Sequence, residues 1–373
     1  MYTAKITFLL LLLSLTGLAQ VDTTETVEDE FDFSEFELAA PPAKSFCNNK
    51  VLGQSPTSLI GVTYTFQGPH SFTAGNPADN PLEENENIDL SETNDIQSTH
   101  EFAMAGNFPI ISRNNILINF NVLYSEQHYQ FTEGTSSHPF TQSLQSNPLR
   151  SASTLITVFK PLNDKRFILG QAGIAFNGDY SFGDLNQSAN TLRYSAALLY
   201  GFKPNDRLMY AFGLARTYLG GALNYVPLVY YYHTFKNDKW GAEVLLPSRA
   251  YFRYRFNSTS LVGIGFNVTG NTYHLNNFNS FSDPRVPENS MAYNQAQDLE
   301  LRRSEIRLGA RYMRSITGFF WLIAEAGYRM NWSYDIDNDG DFVRFFGDDT
   351  PYYIENDLGN PLYFTVGISY VSP

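Results

Sequence analysis

The stretch Thr191–Gly220 reads TLRYSAALLY GFKPNDRLMY AFGLARTYLG, and its alternation of side chains decides the fold class. One parity before the turn is apolar and rich in aromatics: Leu192, Tyr194, Ala196, Leu198, Tyr200 and Phe202. The other parity is mostly small: Arg193, Ser195, Ala197, Leu199 and Gly201. The alternation resumes after the turn Lys203–Asp206. A period of two over about ten residues predicts β-strands with unlike faces, and an aromatic apolar face of this length is typical of strands that face lipid.

Fourteen segments after the first 57 residues repeat this pattern. They are Ser58–Phe66, Gln97–Gly106, Asn114–Ser125, Ser151–Lys160, Arg166–Asn177, Thr191–Phe202, Arg207–Tyr218, Asn224–Phe235, Lys239–Leu246, Arg249–Asn257, Thr259–Gly270, Gln297–Arg314, Gly318–Ser333 and Pro361–Val371. Residues 58–373 therefore predict an all-β fold, an antiparallel up-and-down transmembrane β-barrel of about fourteen strands. An even number suits a closed barrel, which leaves no unpaired edge. Twelve strands is the alternative count, because Pro247 interrupts the ninth and tenth segments.

The connections between these segments alternate in length. The even-numbered connections are short, with the second expected around Pro109–Ile111, whereas the first, third, fifth, eleventh and thirteenth are long and polar. Outer-membrane barrels have short periplasmic turns and long outer loops. The pattern therefore predicts that both termini lie in the periplasm.

The first residues predict export of the chain. One basic residue, Lys5, precedes an apolar run from Ile6 to Leu15, and Ala19 provides a cleavage site, so residues 1–19 are interpreted as a signal peptide. No later stretch reaches the length of about eighteen apolar residues that a transmembrane helix needs. Export combined with long alternating strands predicts the cell outer membrane, with its lipid bilayer as the first partner.

Residues 20–57 are an acidic segment with two interpretations. Val21–Ala40 carries eight acidic residues and neither Lys nor Arg. The segment is either a disordered periplasmic tail or a plug that folds into the barrel lumen. Cys47 is the only cysteine, so no intramolecular disulfide is available to staple the fold.

The net charge of −13 is unevenly distributed. Three acidic stretches together carry a charge of −22, so the remainder of the chain carries +9. These stretches are Val21–Ala40, Gln67–Ser98 and Tyr334–Asn360. Acidic loops around a basic framework do not predict nucleic acid as a partner.

Basic residues share the inward parity of several strands. The residues predicted to line the lumen are Arg253, Arg255, Arg303, Glu305, Arg307, Arg311, Glu325 and Arg329. A single arginine on the lipid face near the midplane costs about 2–4 kcal/mol, so a group of them belongs inside. A hairpin centred on Ile316 predicts Arg307 opposite Glu325 and Arg303 opposite Arg329.

The loop after the thirteenth segment suggests a cation site. Asp335, Asp337, Asp339 and Asp341 have the spacing of the first half of a calcium-binding loop, with Gly340 at the sixth position. The twelfth position, where such a loop places a bidentate Glu, is Phe346. The alternatives are a calcium site and a solvated acidic hairpin loop; apart from calcium, no cofactor is predicted.

Three features together resemble a Bacteroidota-type outer-membrane β-barrel family of unknown function. They are the Gly17–Gln20 end of the signal peptide, the strand-turn pattern around Tyr225-Val226-Pro227 and Leu246-Pro247, and the ending Tyr363–Tyr370. The chain is also similar in outline to the fourteen-stranded barrels of the long-chain fatty-acid transporter group, although no motif matches residue by residue. The final residues, Val371–Pro373, lack the terminal aromatic common in outer-membrane barrels. The resemblance implies an outer-membrane location and no established activity.

Two functions from different classes are consistent with these features. The first is a channel or transporter for small solutes with a basic lumen, in which anions are favoured. The alternative is a non-conducting structural or surface-interaction barrel whose acidic loops bind a partner or calcium. The six histidines form no recognisable catalytic pattern with Ser and Asp, so an enzyme is not predicted.

Overall fold

The computed structural model describes residues 45–77, 89–132, 136–180, 192–219, 221–276, 278, 299–338 and 352–371. Its strands are β1 Ser58–Gln67, β2 His70–Ala74, β3 Glu92–Arg113, β4 Ile116–Phe131, β5 Leu149–Pro161, β6 Arg166–Gly178, β7 Leu192–Asn205, β8 Leu208–Thr217, β9 Asn224–Thr234, β10 Trp240–Leu246, β11 Arg249–Asn257, β12 Ser260–Leu275, β13 Leu299–Thr317, β14 Phe320–Asn338, β15 Asp357–Leu358 and β16 Leu362–Val371. A short helix, α1, spans Pro139–Ser146. The predicted signal peptide and residues 20–44 lie outside the described residues.

Fourteen of these strands form a closed antiparallel barrel. Each strand from β3 to β13 pairs with the next one along the chain, β14 pairs with β16, and β1 pairs with both β16 and β3. The predicted fold class and strand count are therefore confirmed. The strands β2 and β15 are short and pair with each other beyond the barrel wall.

Two prolines, Pro109 and Pro247, bear on the predicted strands and turns. β3 runs through Pro109 to Arg113, so the expected turn at Pro109–Ile111 is wrong and the chain reverses at residues 114–115. Proline fits inside this strand because the β3–β4 register shifts there, and a bulge tolerates a residue without an N–H donor. The segments around Pro247 are both strands, because Pro247 lies in the short turn between β10 and β11.

The barrel has two unlike ends. At the turn end, short connections join β3 to β4, β5 to β6, β7 to β8, β9 to β10, β11 to β12 and β13 to β14. β1 begins and β16 ends at this same end, because Ser58 pairs with Val371. The loop end carries the longer connections and the short turn between β10 and β11, together with β2, β15 and α1.

The outer face of the wall is apolar and exposed, whereas the inner face is packed. In β7, Leu198 is 63% exposed and its neighbour Leu199 is 4% exposed. In β8, Phe212 is 55% exposed and Ala211 is fully buried. Exposed apolar residues recur on the same parity in β12, β14 and β16, including Ile264, Trp332 and Leu362. A continuous apolar belt around a closed barrel is the surface that lipid covers, so the chain has the architecture of an outer-membrane β-barrel. Within the described chain, no helix has the length and apolar character needed to cross a membrane.

The ends of β12 and β13 cross the loop-end mouth. His274 of β12 bridges Gly178 of β6, although these two strands lie six positions apart in the barrel. Thr272 Oγ1 donates a hydrogen bond to Gly221 O at 2.7 Å, and Ser304 Oγ donates to Leu219 O at 3.2 Å. The crossing strands pack their apolar side chains with β2, β4 and α1. This loop-end cap consists of Phe72, Ala74, Ile96, Tyr129, Phe140, Leu144, Leu149, Tyr273, Leu275, Phe278, Leu299, Leu301, Tyr334, Ile336, Tyr353, Ile354 and Leu358.

Candidate functional site

The lumen holds the candidate functional site, and its turn end contains residues 45–57, here called the turn-end segment. These residues form no strand and lie against the inner wall of β5 to β9. Cys47 and Val51 are 7% and 4% exposed, and they pack with inward side chains such as Phe167, Leu199 and Met209. Gly53 has φ +65°, a backbone conformation that residues with a Cβ adopt only at a cost. Glycine at this position lets the segment turn toward β11.

Basic side chains of the wall hold the backbone of this segment. Arg255 Nη2 donates to Gly53 O at 3.1 Å and to Gln54 O at 2.9 Å, and Arg253 Nη1 also donates to Gly53 O. At the other end of the segment, Lys203 Nζ donates to Lys50 O at 2.8 Å. These are charge-assisted hydrogen bonds, which are stronger than bonds between neutral groups.

Further hydrogen bonds tie the segment to the turns and to β10. Cys47 N donates to Asn163 O at 3.0 Å, and Leu52 N donates to Asp206 O at 2.8 Å. Ser55 N donates to Glu243 Oε1 at 2.8 Å, and the same carboxylate oxygen lies 2.9 Å from Arg253 Nε. Burial raises the pKa of the Cys47 thiol, so little of the reactive thiolate forms at neutral pH.

A buried glutamate organises the middle of the lumen. Glu305 is 1% exposed, and its carboxylate lies 2.6 Å from Arg303 Nη2, 2.6 Å from Arg307 Nη2 and 3.9 Å from Arg329 Nε. Thr269 Oγ1 donates to the same carboxylate at 3.2 Å. We call Glu305 and these three arginines the glutamate hub. Three positively charged arginines can lie close together here because they share one carboxylate.

Neighbouring acids complete the network around the hub. Arg307 Nη2 also lies 2.5 Å from Glu101 Oε2 on β3. Arg329 is fully buried and donates to Gln67 Oε1 on β1. Nearer the turn end, Arg311 Nε lies 2.5 Å from Glu325 Oε2, whose other oxygen accepts a hydrogen bond from the Tyr363 hydroxyl at 2.7 Å.

The structure places all eight sequence-predicted lumen residues on the inner face, but it changes their partners. Arg311 lies opposite Glu325 and Arg307 lies opposite Arg329, so the predicted pairs of Arg307 with Glu325 and Arg303 with Arg329 are wrong. The cause is the turn, which is Gly318-Phe319 with Gly318 at φ +50° rather than a turn centred on Ile316.

Sequence reasoning missed several lumen residues. Glu101 lies two residues from Thr99, which faces inward on β3. The alternation of this strand therefore predicts that Glu101 also faces inward. Glu243 and Arg249 flank Pro247, which obscured the parity of their strands. Room for Arg253 comes from Gly241 directly opposite, because a Cβ there would collide with the guanidinium.

A cavity of about 380 Å³ lies beside the turn-end segment, and residues 54–57 and Arg311 line it. Both polar and apolar side chains of the inner wall face this cavity. The lining includes Ser55, Tyr232, Glu243, Arg249, Tyr251, Arg253, Leu261, Met313 and Ile323. The volume falls within the range of small-molecule sites.

Arginines outnumber glutamates among the described residues near the glutamate hub and the cavity. Arg249, Arg253, Arg255, Arg303, Arg307, Arg311 and Arg329 are the arginines of this region, and Glu101, Glu243, Glu305 and Glu325 are the acids near them. Among the described residues of this region, seven arginines therefore stand against four glutamates.

At the loop end, His138 caps helix α1 within the loop-end cap. Its Nδ1 accepts the backbone N–H of Phe140 at 3.2 Å, and its Nε2 lies 3.1 Å from Gly75 O, which assigns the proton to Nε2. His138 is 2% exposed, and burial lowers its pKa to about 4. Glu92 is the charged neighbour, because its Oε2 accepts the His138 backbone N–H at 3.0 Å.

We expect acidification to loosen the loop-end cap through His138. Its pKa in the folded state lies below the ordinary value near 6.5, so protonation favours the opened state. The stabilisation is fully present above pH 6.5 and is lost as the pH falls toward 4, by up to about 3 kcal/mol. Hydrogen–deuterium exchange of the Gln142 and Asn147 amides, corrected for intrinsic rates, should accelerate between pH 7.5 and 4.5. His138→Asn, which retains a capping acceptor without titrating, should remove this pH dependence; persistence of the effect in that variant would contradict the assignment.

The described part of the proposed calcium loop shows other partners for its acids. Asp335 accepts hydrogen bonds from Ser333 Oγ at 2.7 Å and from Asn356 N at 3.1 Å, and Asp337 lies 3.1 Å from Arg302 Nη2. Asp339 and Asp341 lie outside the described residues. Among the described residues, no group of three or more metal-ligating side chains has the geometry to hold a metal ion. The calcium site stays a prediction.

These features define the class of protein: a fourteen-stranded outer-membrane-type β-barrel whose lumen contains charged side chains and part of its own N-terminal region. No protein-family model matches the chain, and no curated protein matches it in sequence.

Comparison with solved structures finds other barrels. An outer membrane channel from Pseudomonas putida F1 matches with 8% identity and a TM-score of 0.36, covering 89% of this chain and 99% of the other. A FadL homologue from Pseudomonas aeruginosa matches with 10% identity and a TM-score of 0.37, covering 86% and 91%. The outer membrane protease OmpT from Escherichia coli matches with 11% identity and a TM-score of 0.30, covering 85% and 98%. At these scores we draw nothing about function from the matches, and the absence of an enzymatic activity stays a prediction.

Proposed function

We propose that this protein is an outer-membrane channel for small solutes, which the turn-end segment closes as a plug. The observation that carries the proposal is the way residues 45–57 occupy the lumen. A barrel that serves only as a scaffold can fill its interior with side chains of its own wall. Here residues 45–57, which form no helix or strand, occupy the turn end, and hydrogen bonds from Arg255 and Lys203 hold them.

The contacts that hold the segment in the lumen can break and form again. They are hydrogen bonds from side chains to backbone and the burial of two small apolar side chains, Cys47 and Val51. Withdrawal of the segment leaves every ladder of the barrel intact, since none of its residues belongs to a strand. The plug can therefore leave without unfolding the wall.

The charge of the wall favours anions in the open channel. The excess of arginines around the glutamate hub and the cavity raises the local concentration of anions and repels cations. Both termini face the periplasm in this proposal, because the turn end carries the short connections typical of that side. The plug then opens toward the periplasm.

Planar-bilayer recordings test the proposal. We expect the mature full-length chain to show little conductance. A variant lacking residues 20–57, in which the loop-end cap is the remaining barrier, should show a conductance above that of the full-length chain, and this conductance should favour chloride over potassium. A variant lacking residues 20–44, which keeps the turn-end segment, is the matched control and should stay closed. If the variant without residues 20–57 migrates as a folded barrel yet conducts nothing, the non-conducting structural or surface-interaction barrel becomes the better account.

A further inference from the structure

The cavity above the turn-end segment is lined by both charged and apolar side chains. Arg249, Arg253 and Arg311 contribute the positive charges, and Leu261, Met313 and Ile323 form an apolar wall. A solute that fills such a site presents a charged group to an arginine and a hydrocarbon body to the apolar wall. The sign and number of the solute's charges follow from the partners of the three arginines.

Two of the three arginines already have acidic partners. Arg253 pairs with Glu243 at 2.9 Å, and Arg311 pairs with Glu325 at 2.5 Å. Arg249 differs: its Nη2 donates to the neutral Tyr232 hydroxyl at 3.1 Å, and none of the ion pairs among the described residues includes it. The site therefore carries one positive charge in excess, which a single negative charge on a ligand neutralises.

Solvent reaches Arg249 even though its side chain points into the barrel. The residue is exposed, while its strand neighbour Tyr251 and its partner Tyr232 are half-buried and buried. Arg249 lies beside the short turn between β10 and β11. These two strands are shorter than β12 and end closer to the turn end of the barrel. A small ligand can thus reach the guanidinium in the closed state.

We propose that this cavity binds a small organic carboxylate with an apolar body, its carboxylate group on Arg249 and its body against Leu261, Met313 and Ile323. The planar guanidinium suits a carboxylate, because its N–H groups form two parallel hydrogen bonds to the two oxygens. A divalent anion such as inorganic phosphate exceeds the single uncompensated charge and leaves the apolar wall uncovered. This inference deepens the proposed function by assigning a solute class, but binding itself does not require conduction.

Titration calorimetry of the full chain in detergent tests the inference with benzoate as the probe. Benzamide has nearly the same shape without the charge, and we expect it to bind at least tenfold more weakly. Arg249→Met should weaken benzoate binding tenfold or more, because a hydrogen-bonded charge is lost. Arg207→Met is the matched control; it removes an arginine that pairs with Asp238 outside the cavity, and it should leave benzoate binding unchanged.

A second variant separates loss of the site from loss of the fold. Gly263 lines the cavity, and a Cβ added there meets the Tyr251 ring at 3.7 Å, an ordinary contact. Gly263→Phe should therefore fold, keep every charge and abolish benzoate binding by filling the cavity. If Arg249→Met does not fold, this variant decides the outcome.

Several results would overturn the inference: no benzoate binding to the wild-type chain, equal binding of benzamide, tighter binding of phosphate, or unchanged binding in Gly263→Phe. The channel proposal fails on different evidence, which is the absence of conductance after removal of residues 20–57. Benzoate binding to a barrel that never conducts would support the site and reject the channel.

Discussion

Replacing Arg255 with methionine increases the rate at which a maleimide labels Cys47 about tenfold. The Arg255 side chain makes two hydrogen bonds of 3.1 Å or less. Both are to the turn-end segment, at Gly53 O and Gln54 O. Hydrogen bonds from a charged group contribute about 1.5–3 kcal/mol, so their loss raises the population of the withdrawn segment by tenfold or more. Cys47 reports this population directly, because it is buried in the closed state and is the only cysteine.

Lys203→Met added to Arg255→Met should increase labelling about a hundredfold. Lys203 holds Asn48 and Lys50 at the opposite end of the segment, so its contribution should add to that of Arg255. Bilayer conductance should rise in the same order. Arg207→Met at the barrel surface should leave labelling unchanged. Rapid labelling of wild-type Cys47, as fast as that of unfolded protein, would rule out the buried segment.

The barrel could be predicted from the sequence because lipid imposes a simple rule on it. Each strand that crosses a membrane must place apolar residues on alternate positions, as in Leu198 beside Leu199. That local rule identifies the strand and its faces without knowledge of its partners. All fourteen barrel strands and the inward parity of the eight lumen residues follow from it.

The partners of the lumen arginines required information that parity does not carry. Moving the turn from Ile316 to Gly318-Phe319 keeps Arg311 and Glu325 on the inner face yet makes them neighbours in place of Arg307 and Glu325. The contact of Arg307 with Glu101 joins residues 206 positions apart, and no local pattern connects them. Similarly, nothing in the composition of residues 45–57 reveals that Arg253 and Arg255 bind their backbone.

The crossing of the loop-end mouth also lies beyond the reach of periodicity. β12 and β13 extend past the barrel wall with the same alternation that they have within it. Tyr273 and Leu301 continue the inward parity of Gly263 and Arg311, but in the structure they belong to the loop-end cap. The sequence pattern is equally consistent with a straight hairpin standing above the membrane.

Glu305→Gln, at the centre of the glutamate hub, should destabilise the folded barrel by about 3–5 kcal/mol. The carboxylate is 1% exposed and lies within 4 Å of Arg303, Arg307 and Arg329. Glutamine keeps the shape and can still accept the hydrogen bond from Thr269. It removes the negative charge that offsets three buried positive charges, and a buried charge without its partner is costly.

Glu101→Gln is the matched control for this prediction, since the same substitution removes the same charge from another partner of Arg307. Glu101 contacts Arg307 alone among the hub arginines and is less buried, so its replacement should cost less than half as much. The temperature at which the folded band disappears on unheated gels, or reversible unfolding in urea from liposomes, measures both variants. Combining Glu305→Gln with Arg303→Gln should recover part of the lost stability, because removal of one arginine restores the balance of charge. Equal stability of Glu305→Gln and the wild-type barrel would instead mean that water or ions screen the lumen arginines without help from Glu305.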